Sequence, residues 1–255
     1  MINFSNENII NFFDSQQNLY EFKNDAKNIM IFGNINSDLS INISKNLNID
    51  LTILFLQSSN LEEKTFNITF NVESYSSLNL KIANFANFNC NDNITVKLLS
   101  ENSNVNIYSS TILNENLNKN SIVKVDHISR NTLSNIKLYE ILKGHSKGFI
   151  RCISDIKNKS SNSEAHQELR LLVLDEHAKA NSDPVLLIDE NDIVASHANA
   201  IGMLDQDQMF YLLSRGLKKS VAEELIVNGF FEPIFIEIED EQIVKQLKEM
   251  LKGML

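Results

Sequence analysis

His197 is the residue whose chemistry and setting best suit a functional site. It follows an apolar, strand-like run, Ile193-Val194-Ala195-Ser196. A neutral imidazole can bind a metal ion or carry a proton, so the residue type fits either task. A histidine can also pair polar groups across a subunit contact, and the residue type alone favours that plainer role. We therefore keep His197 as a candidate site residue with both interpretations open.

The cysteines do not supply a metal site of their own. The chain has two, Cys90 and Cys152, and both lie in strand-like contexts where a cysteine is usually a small buried apolar residue. A four-cysteine site is therefore excluded within this chain. Four further histidines show no metal-ligand spacing with one another in the sequence: His127, His145, His166 and His177.

Motifs typical of enzymes are missing from the sequence. There is no glycine-rich phosphate loop, no G-x-S-x-G turn and no helix with paired zinc-binding histidines. Adjacent carboxylates such as Glu62-Glu63 point to opposite faces of a strand and make a poor acid/base pair. The sequence therefore predicts a protein that is not an enzyme.

Short strands dominate the part of the chain from Ile29 to about Ile156. Apolar and polar residues alternate in runs such as Phe66 to Phe70 and Asn93 to Leu98, separated by Asn, Ser or Asp clusters. This period of two predicts strands with one buried face, in a sandwich, a barrel or a β-solenoid. Asparagine can turn a corner where glycine is scarce, and it can stack in ladders on adjacent coils. Without a strict repeat, the pattern alone leaves solenoid and sandwich equally favoured.

Helical periodicity replaces this pattern after Asp205. Asp205 with Gln208 predicts a capped helix that Gly216 ends, and the capping box Ser220 to Glu223 predicts a second helix that ends at Gly229. An amphipathic helix is expected from Glu239 to Leu255. Asn3 to Asn28 is expected to form a short helix and a lead-in strand. These expectations divide the chain into a lead-in segment (1–28), a β body (29–204) and a helical domain (205–255).

Composition limits the classes of binding partner and the cellular compartment that the sequence predicts. The chain has 255 residues and a formal net charge of -10, which repels nucleic acid and anionic membranes. No run approaches the roughly 20 apolar residues of a membrane span. With no signal-peptide pattern and only two cysteines, the sequence predicts a cytoplasmic protein with reduced thiols.

A series of fixed points between Asn181 and Phe230 resembles the C-terminal signature of the SufB/SufD family of iron-sulfur cluster assembly proteins. These points are Ser182-Asp183-Pro184, Ser196-His197-Ala198, Gly202, Asp205, Phe210-Tyr211-Leu212, Ser214-Arg215-Gly216, Ala222 and Asn228-Gly229-Phe230. The resemblance is weaker upstream, through Ala165-His166-Gln167 and Ser129-Arg130-Asn131. It implies a mainly β fold, a right-handed parallel β-helix with a small C-terminal α-helical domain.

The same resemblance implies partners and a role for His197. Family members pair as β-helix subunits and assemble clusters near their contact, where the position of His197 lies. The resemblance therefore makes His197 a candidate iron or cluster ligand. The segment matching 208–230 receives the ABC-type ATPase SufC. The residues expected to bind this partner are Phe210, Tyr211, Arg215, Gly216, Lys218 and Glu223. Their apolar members can also pack the helices onto the β-helix, so the two roles are expected on opposite helix faces.

Departures from the family pattern point to one type of subunit. The cysteine of SufB-type members falls about at Ala178, and the cysteine found in many SufD-type members falls at Ala195. Because thiolates hold most iron-sulfur clusters, the chain is not expected to build a cluster alone. The resemblance is therefore to a short SufD-type subunit that pairs with a SufB-type scaffold. It would bind no cofactor stably and meet iron or a cluster only transiently, at a subunit interface.

Two alternatives stay open. A homodimeric SufD-like protein could act without SufB, and the short region before the β-helix motivates this hypothesis; light scattering would reveal the dimer. A β-helix carbohydrate-active enzyme or adhesin is an alternative of another class. That class needs a groove of carboxylates or exposed aromatic residues and usually a secretion signal, and the sequence shows neither.

Overall fold

A computed structural model describes residues 8–255 of the chain. The first strands are β1 (Ile9–Asn11), β2 (Leu19–Phe22), β3 (Ala26–Phe32), β4 (Ser37–Ile43), β5 (Asn48–Phe55), β6 (Lys64–Val72), β7 (Ser77–Asn84) and β8 (Cys90–Leu98). They are followed by β9 (Asn104–Leu113), β10 (Asn118–His127), β11 (Leu133–Leu142), β12 (Lys147–Ile156), β13 (Ser163–Val173), β14 (Lys179–Ile188) and β15 (Ile193–Met203). Three helices close the chain: α1 (Gln206–Ser214), α2 (Lys219–Phe235) and α3 (Glu241–Met254).

The strands form two parallel sheets that the chain visits in turn. The odd-numbered strands pair in the order β1 to β15, and the even-numbered strands pair in the order β2 to β14. Each strand therefore lies beside the strand two before it, which is the arrangement of a two-sheet β-solenoid. The prediction of a mainly β, parallel β-helical fold with C-terminal helices is confirmed, and the sandwich and barrel are excluded. The right-handedness of the coil stays a prediction.

Asparagine both turns corners and stacks in ladders, as expected from the sequence. Asn46, Asn102, Asn131 and Asn162 have φ between 55 and 60°, the left-handed conformation that a tight corner requires. Asparagines also stack between turns on the outside of the odd-numbered sheet. Asn79 donates to Asp50 Oδ1 at 2.7 Å, Asn106 to Asn79 at 2.9 Å and Asn135 to Asn106 at 3.1 Å.

Turn lengths explain why the sequence shows no strict repeat. Partners on adjacent turns are 27 residues apart for Asn79 and Asn106, 29 for Asp50 and Asn79, and 31 for Thr132 and Ser163. The corners absorb these differences while the strands stay in register. A search for one fixed period therefore finds none.

The solenoid interior is apolar at its N-terminal end. Phe12 stacks on Phe32 with ring centroids 5.3 Å apart, and Phe55 tilts against Phe66 at 4.8 Å. All four rings are buried. Burying a phenylalanine fully is worth about 1.5–3 kcal/mol, so this aromatic stack is a main source of stability for the first turns.

The first strands correct the expectation for the N-terminal segment. In its described part, residues 8–28 form β1, β2 and the start of β3, and no helix is present there. Ile9 already pairs with Ile29, so the solenoid begins before residue 29. The physical reason is burial: Phe12 and Phe22 lie inside the first turns, where their burial outweighs a polar, helix-compatible sequence. The rest of the expected helix lies outside the described residues.

Helix α1 begins and ends as the sequence predicts. The carboxylate of Asp205 accepts hydrogen bonds from the backbone of Asp207 at 2.8 Å and Gln208 at 3.0 Å. These bonds satisfy two of the free N–H groups at the start of the helix. Gly216 has φ +88°, a conformation that suits glycine, and it follows the C-cap residue Arg215.

Both predicted ends of α2 are wrong. The helix begins after Lys218, which makes no side-chain capping bond, and Ser220 and Glu223 lie inside it. It then continues past Gly229 and through Pro233. Tertiary packing overrides the local signals, because four of its last nine residues are buried: Val227, Phe231, Ile234 and Phe235.

The last two helices cover the outer face of the odd-numbered sheet. Phe231 stacks on Phe85 with centroids 5.1 Å apart, and the Tyr108 hydroxyl donates to the Phe230 carbonyl at 2.9 Å. The predicted amphipathic helix is confirmed as α3. Its buried residues are Ile243, Leu247, Leu251 and Met254. Among the described helices, none is long and apolar enough to cross a membrane.

Candidate functional site at the open end of the solenoid

The last turn of the solenoid is uncovered. Within the described residues β14 pairs only with β12, and β15 pairs only with β13, so each strand has one free edge. No residue of either strand is fully buried, whereas every second residue of β13 is. Large apolar side chains are exposed here: Leu187, Ile188, Val194, Ile201 and Met203. A long exposed strand edge with apolar residues is a typical site for a partner strand.

His197 lies on the inward-facing side of this last turn. Its register partner on β13 is Gln167. The next residues in the same row are Ile136 on β11 and Ile107 on β9. Those three residues are buried in the solenoid interior. His197 has the same inward position, but it is exposed because no further turn covers it. The imidazole therefore belongs to the surface of the open end.

Polar side chains join the two sheets at and beneath this surface. The Ser182 hydroxyl on β14 donates to Asn199 Oδ1 on β15 at 2.8 Å. One turn below, Gln167 Nε2 donates to the Ser154 hydroxyl at 2.8 Å and to the Val185 carbonyl at 3.1 Å. The end of the solenoid near His197 is thus hydrogen-bonded and polar, in contrast to its phenylalanine-filled beginning.

Thiolates are missing from this surface. Ala195 lies on β15, and Ala178 packs against the interior cluster just before β14. Cys90 and Cys152 are buried, as predicted, and burial raises the pKa of each thiol to about 12. Both are therefore protonated thiols at neutral pH. Because clusters bind thiolates, these two cysteines are poor cluster ligands in this fold.

The other histidines have distinct settings. His166 Nδ1 lies 2.7 Å from the Ser196 hydroxyl, which agrees with a structural contact to the next coil. The ring nitrogens of His127 lie 2.8 Å from the hydroxyls of Thr132 and Ser134, and burial lowers the His127 pKa to about 4, so this ring is neutral.

The fold also brings together two histidines that are far apart in the sequence. The rings of His145 and His177 stack with centroids 4.7 Å apart, at the corner beside Ala178. Residues separated by one turn become neighbours in a solenoid, but the sequence gives no fixed turn length from which to recognise them. No group of three or more histidine, cysteine or acidic side chains in the described part of the chain is arranged to hold a metal ion.

A buried ion cluster was also missed by sequence reasoning. Lys119 Nζ lies inside the solenoid, 3.2 Å from Asp92, 3.9 Å from Glu140 and 3.0 Å from the Thr111 hydroxyl. Burial alone would lower the Lys119 pKa, but Asp92 and Glu140 together raise it. The sequence did contain a signal. Asp92 is two residues from both Cys90 and Ile94, so on a strand it shares their inward-facing side.

The residues predicted to bind an ATPase lie on and after α1. No residue of α1 is buried, and Phe210 is 73% exposed. The Arg215 guanidinium lies over the exposed Tyr211 ring, 5.3 Å from its centroid. Gly216 and Lys218 are exposed in the turn that leads to α2. Within α2, Glu223 forms an ion pair with Lys219 at 3.6 Å. This surface combines aromatic residues and arginine, which are typical of interface hot spots.

Fold and site together define a class: a β-solenoid protein with an uncovered last turn and an exposed helical surface. The chain belongs to the SufBD family of iron-sulfur cluster assembly proteins, because the family profile described as "SUF system FeS cluster assembly, SufBD core domain" matches residues 17–230. The family assignment made from the sequence is confirmed.

Three relatives illustrate the similarity. The chain is 34% identical over 134 residues to the iron-sulfur cluster assembly protein SufD of Bacillus subtilis, a match over 52% of this chain and 31% of the relative. It is 26% identical over 132 residues to a SufBD family protein of Mycobacterium tuberculosis, over 52% of this chain and 16% of the relative. It is 28% identical over 148 residues to a SufBD family protein of Porphyra purpurea, over 58% and 30%. The matches thus span less than a third of each of these relatives.

Proposed function

We propose that the chain is a non-catalytic, SufD-like subunit of a Suf iron-sulfur cluster assembly complex. It pairs with a SufB-type scaffold through the open end of its solenoid and docks a SufC-type ATPase through α1 and the start of α2. The single observation that carries the proposal is the uncovered last turn. There two free strand edges, exposed apolar residues and His197 share one surface. The cytoplasm remains the location predicted from the sequence.

Strand pairing supports the scaffold interface. The free edges of β14 and β15 offer backbone N–H and C=O groups to a second β-helix. The same contact would cover Val194, Ile201 and Met203, whose burial favours association. Two β-helices joined end to end would place His197 at their junction.

The lack of thiolates at the open end favours a role in which this chain assists cluster assembly and does not hold the cluster by itself. His197 offers an imidazole, while Ala178 and Ala195 offer no ligand. In this proposal iron or a cluster is the cargo, and the scaffold partner supplies the thiolates that hold it. His197 contributes a nitrogen ligand or a proton acceptor at the junction.

The exposed face of α1 supports ATPase docking. Phe210 and Tyr211 are anchors of the kind that fill pockets in a partner, and Arg215 can bind carboxylates or carbonyl groups beside them. The opposite side of the helical domain is already occupied, since Val227 and Phe231 pack on the sheet. The apolar residues of the domain thus divide between packing and docking.

Co-expression with SufB- and SufC-type proteins tests this function. Wild-type protein should co-purify with both partners. Ile201→Asp should lose the scaffold and keep the ATPase, and the double variant Phe210→Ala/Tyr211→Ala should do the reverse. Leu61→Asp, an exposed leucine far from both surfaces, is the matched control and should keep both. A folded wild-type protein that binds neither partner would refute the proposal.

A homodimer is the alternative that the same open end favours, because a second copy could pair with the free edges. Light scattering on the isolated protein separates the two. A stable dimer that Ile201→Asp converts to a monomer would support self-pairing, whereas a monomeric wild type would support a scaffold partner.

A further inference from the structure

Gln167 has an unusual hydrogen-bonding state. Its side chain is 3% exposed, and its Oε1 has no hydrogen-bond donor within residues 8–255. Most buried polar atoms in proteins have a partner, so an unpaired one needs a specific explanation. The mechanism proposed above does not use this residue.

The orientation of the amide is fixed by its nitrogen. Nε2 donates to the Ser154 hydroxyl and to the Val185 carbonyl. A carbonyl oxygen can only accept, so flipping the amide would place Oε1 against an acceptor. Oε1 is therefore the atom left to accept a hydrogen bond.

His197 is the register neighbour of Gln167 on the next strand, and its ring can donate that hydrogen bond. Gln167 and His197 are register partners on parallel strands, which lie roughly 4.8 Å apart, and both occupy inward-facing positions. The His197 ring makes no hydrogen bond to another described residue and is exposed, so it has rotational freedom. A neutral imidazole has one N–H donor and one unprotonated nitrogen.

We propose that Gln167 is a positioning residue for His197. Gln167 Oε1 accepts a hydrogen bond from one ring N–H of His197, which selects one tautomer and orients the ring. The second nitrogen then faces the open end without a proton, ready to bind iron or accept a proton. Buried partners commonly select the tautomer of ligand histidines in this way. The functional meaning of this contact rests on the proposed role of His197, but the contact itself does not.

Nitrogen NMR of the histidine rings tests the contact in the isolated protein. Histidine is labelled with 15N, the His197 signals are assigned with His197→Ala, and spectra are recorded at about pH 8, where an ordinary imidazole is neutral. Wild-type protein should show one dominant His197 tautomer. Gln167→Met should show two tautomers in exchange, as expected for a solvent-exposed imidazole.

One further variant controls the experiment. Gln246 on α3 also has a buried Oε1 without a partner, so Gln246→Met removes a comparable group far from the open end and should leave the His197 spectrum unchanged. Two His197 tautomers in wild-type protein, or one unchanged tautomer in folded Gln167→Met, would overturn the proposal.

The test of the contact between Gln167 and His197 can be separated from the test of the proposed function. If His197→Ala lowers the iron content of the reconstituted complex while Gln167→Met keeps a single tautomer, the function stands and the positioning role fails. If Gln167→Met changes the tautomer while His197→Ala leaves the iron content unchanged, the contact is real and the ligand role fails.

Discussion

Glu140 should make the stability of the protein depend on pH. Its side chain is fully buried inside the solenoid, and neither carboxylate oxygen has a hydrogen-bond partner in the described part of the chain. Lys119 lies 3.9 Å away, which favours the carboxylate, but burial outweighs this attraction and raises the Glu140 pKa from 4.5 to about 7. Gly148 lies against the Glu140 carboxylate, and any side chain at position 148 would collide with that carboxylate.

The size and sign of the effect follow from this pKa. Because the folded-state pKa is raised, folded protein keeps a proton on Glu140 that unfolded protein loses above about pH 4.5. The stabilisation from this group is complete below that pH and is lost as the pH rises through about 7. A rise to about 7 corresponds to about 3 kcal/mol of unfolding free energy.

Glu140→Gln removes this titration and keeps the side-chain volume. We expect the difference in unfolding free energy between Glu140→Gln and wild type to move in favour of the variant by about 2.5 kcal/mol from pH 5 to pH 8. Urea unfolding followed by circular dichroism at several pH values measures it. Glu176→Gln, at an exposed site, is the control. A constant difference between Glu140→Gln and wild type across this range would refute the assignment of a raised Glu140 pKa.

Further predictions concern the cap, the core and the thiols. Asp205→Ala should cost about 1 kcal/mol, measured by urea unfolding, because two backbone N–H groups of α1 lose their acceptor; Asp207→Ala is its control, and an unchanged stability would contradict the capping role. Phe66→Ala should cost about 3–5 kcal/mol in the same assay, since its buried ring touches three others; a loss under 1 kcal/mol would contradict the tight packing of the first turns. Cys90 and Cys152 should stay unmodified by a thiol reagent in native protein and react after unfolding, and rapid native labelling would contradict their burial.

Much of the fold was predictable because its signals are local. Strand alternation follows directly from inward and outward side chains, and the cap at Asp205 needs only the two residues that follow it. The ends of α2 were not predictable in this way. Gly229 and Pro233 usually end a helix, and only the burial of Phe231 and Phe235 against the sheet explains its continuation.

The candidate site shows the same limit. His197 could be singled out from the resemblance of its neighbours, but its position at an open end depends on where the last turn lies. Gln167, Lys119 and the pair of His145 and His177 gain their partners from register between turns. Since turns differ by several residues in length, that register cannot be read from one sequence.

Anaerobic reconstitution of the complex with SufB- and SufC-type partners tests directly whether His197 at the open end takes part in cluster assembly. Iron and sulfide per complex are compared between wild type and His197→Ala, with His177→Ala as a matched exposed histidine. We expect His197→Ala to form the same complex but to retain several-fold less iron and sulfide, and we expect His177→Ala to match wild type. Equal iron and sulfide in an intact His197→Ala complex would contradict the claim that the open end takes part in cluster assembly through this histidine.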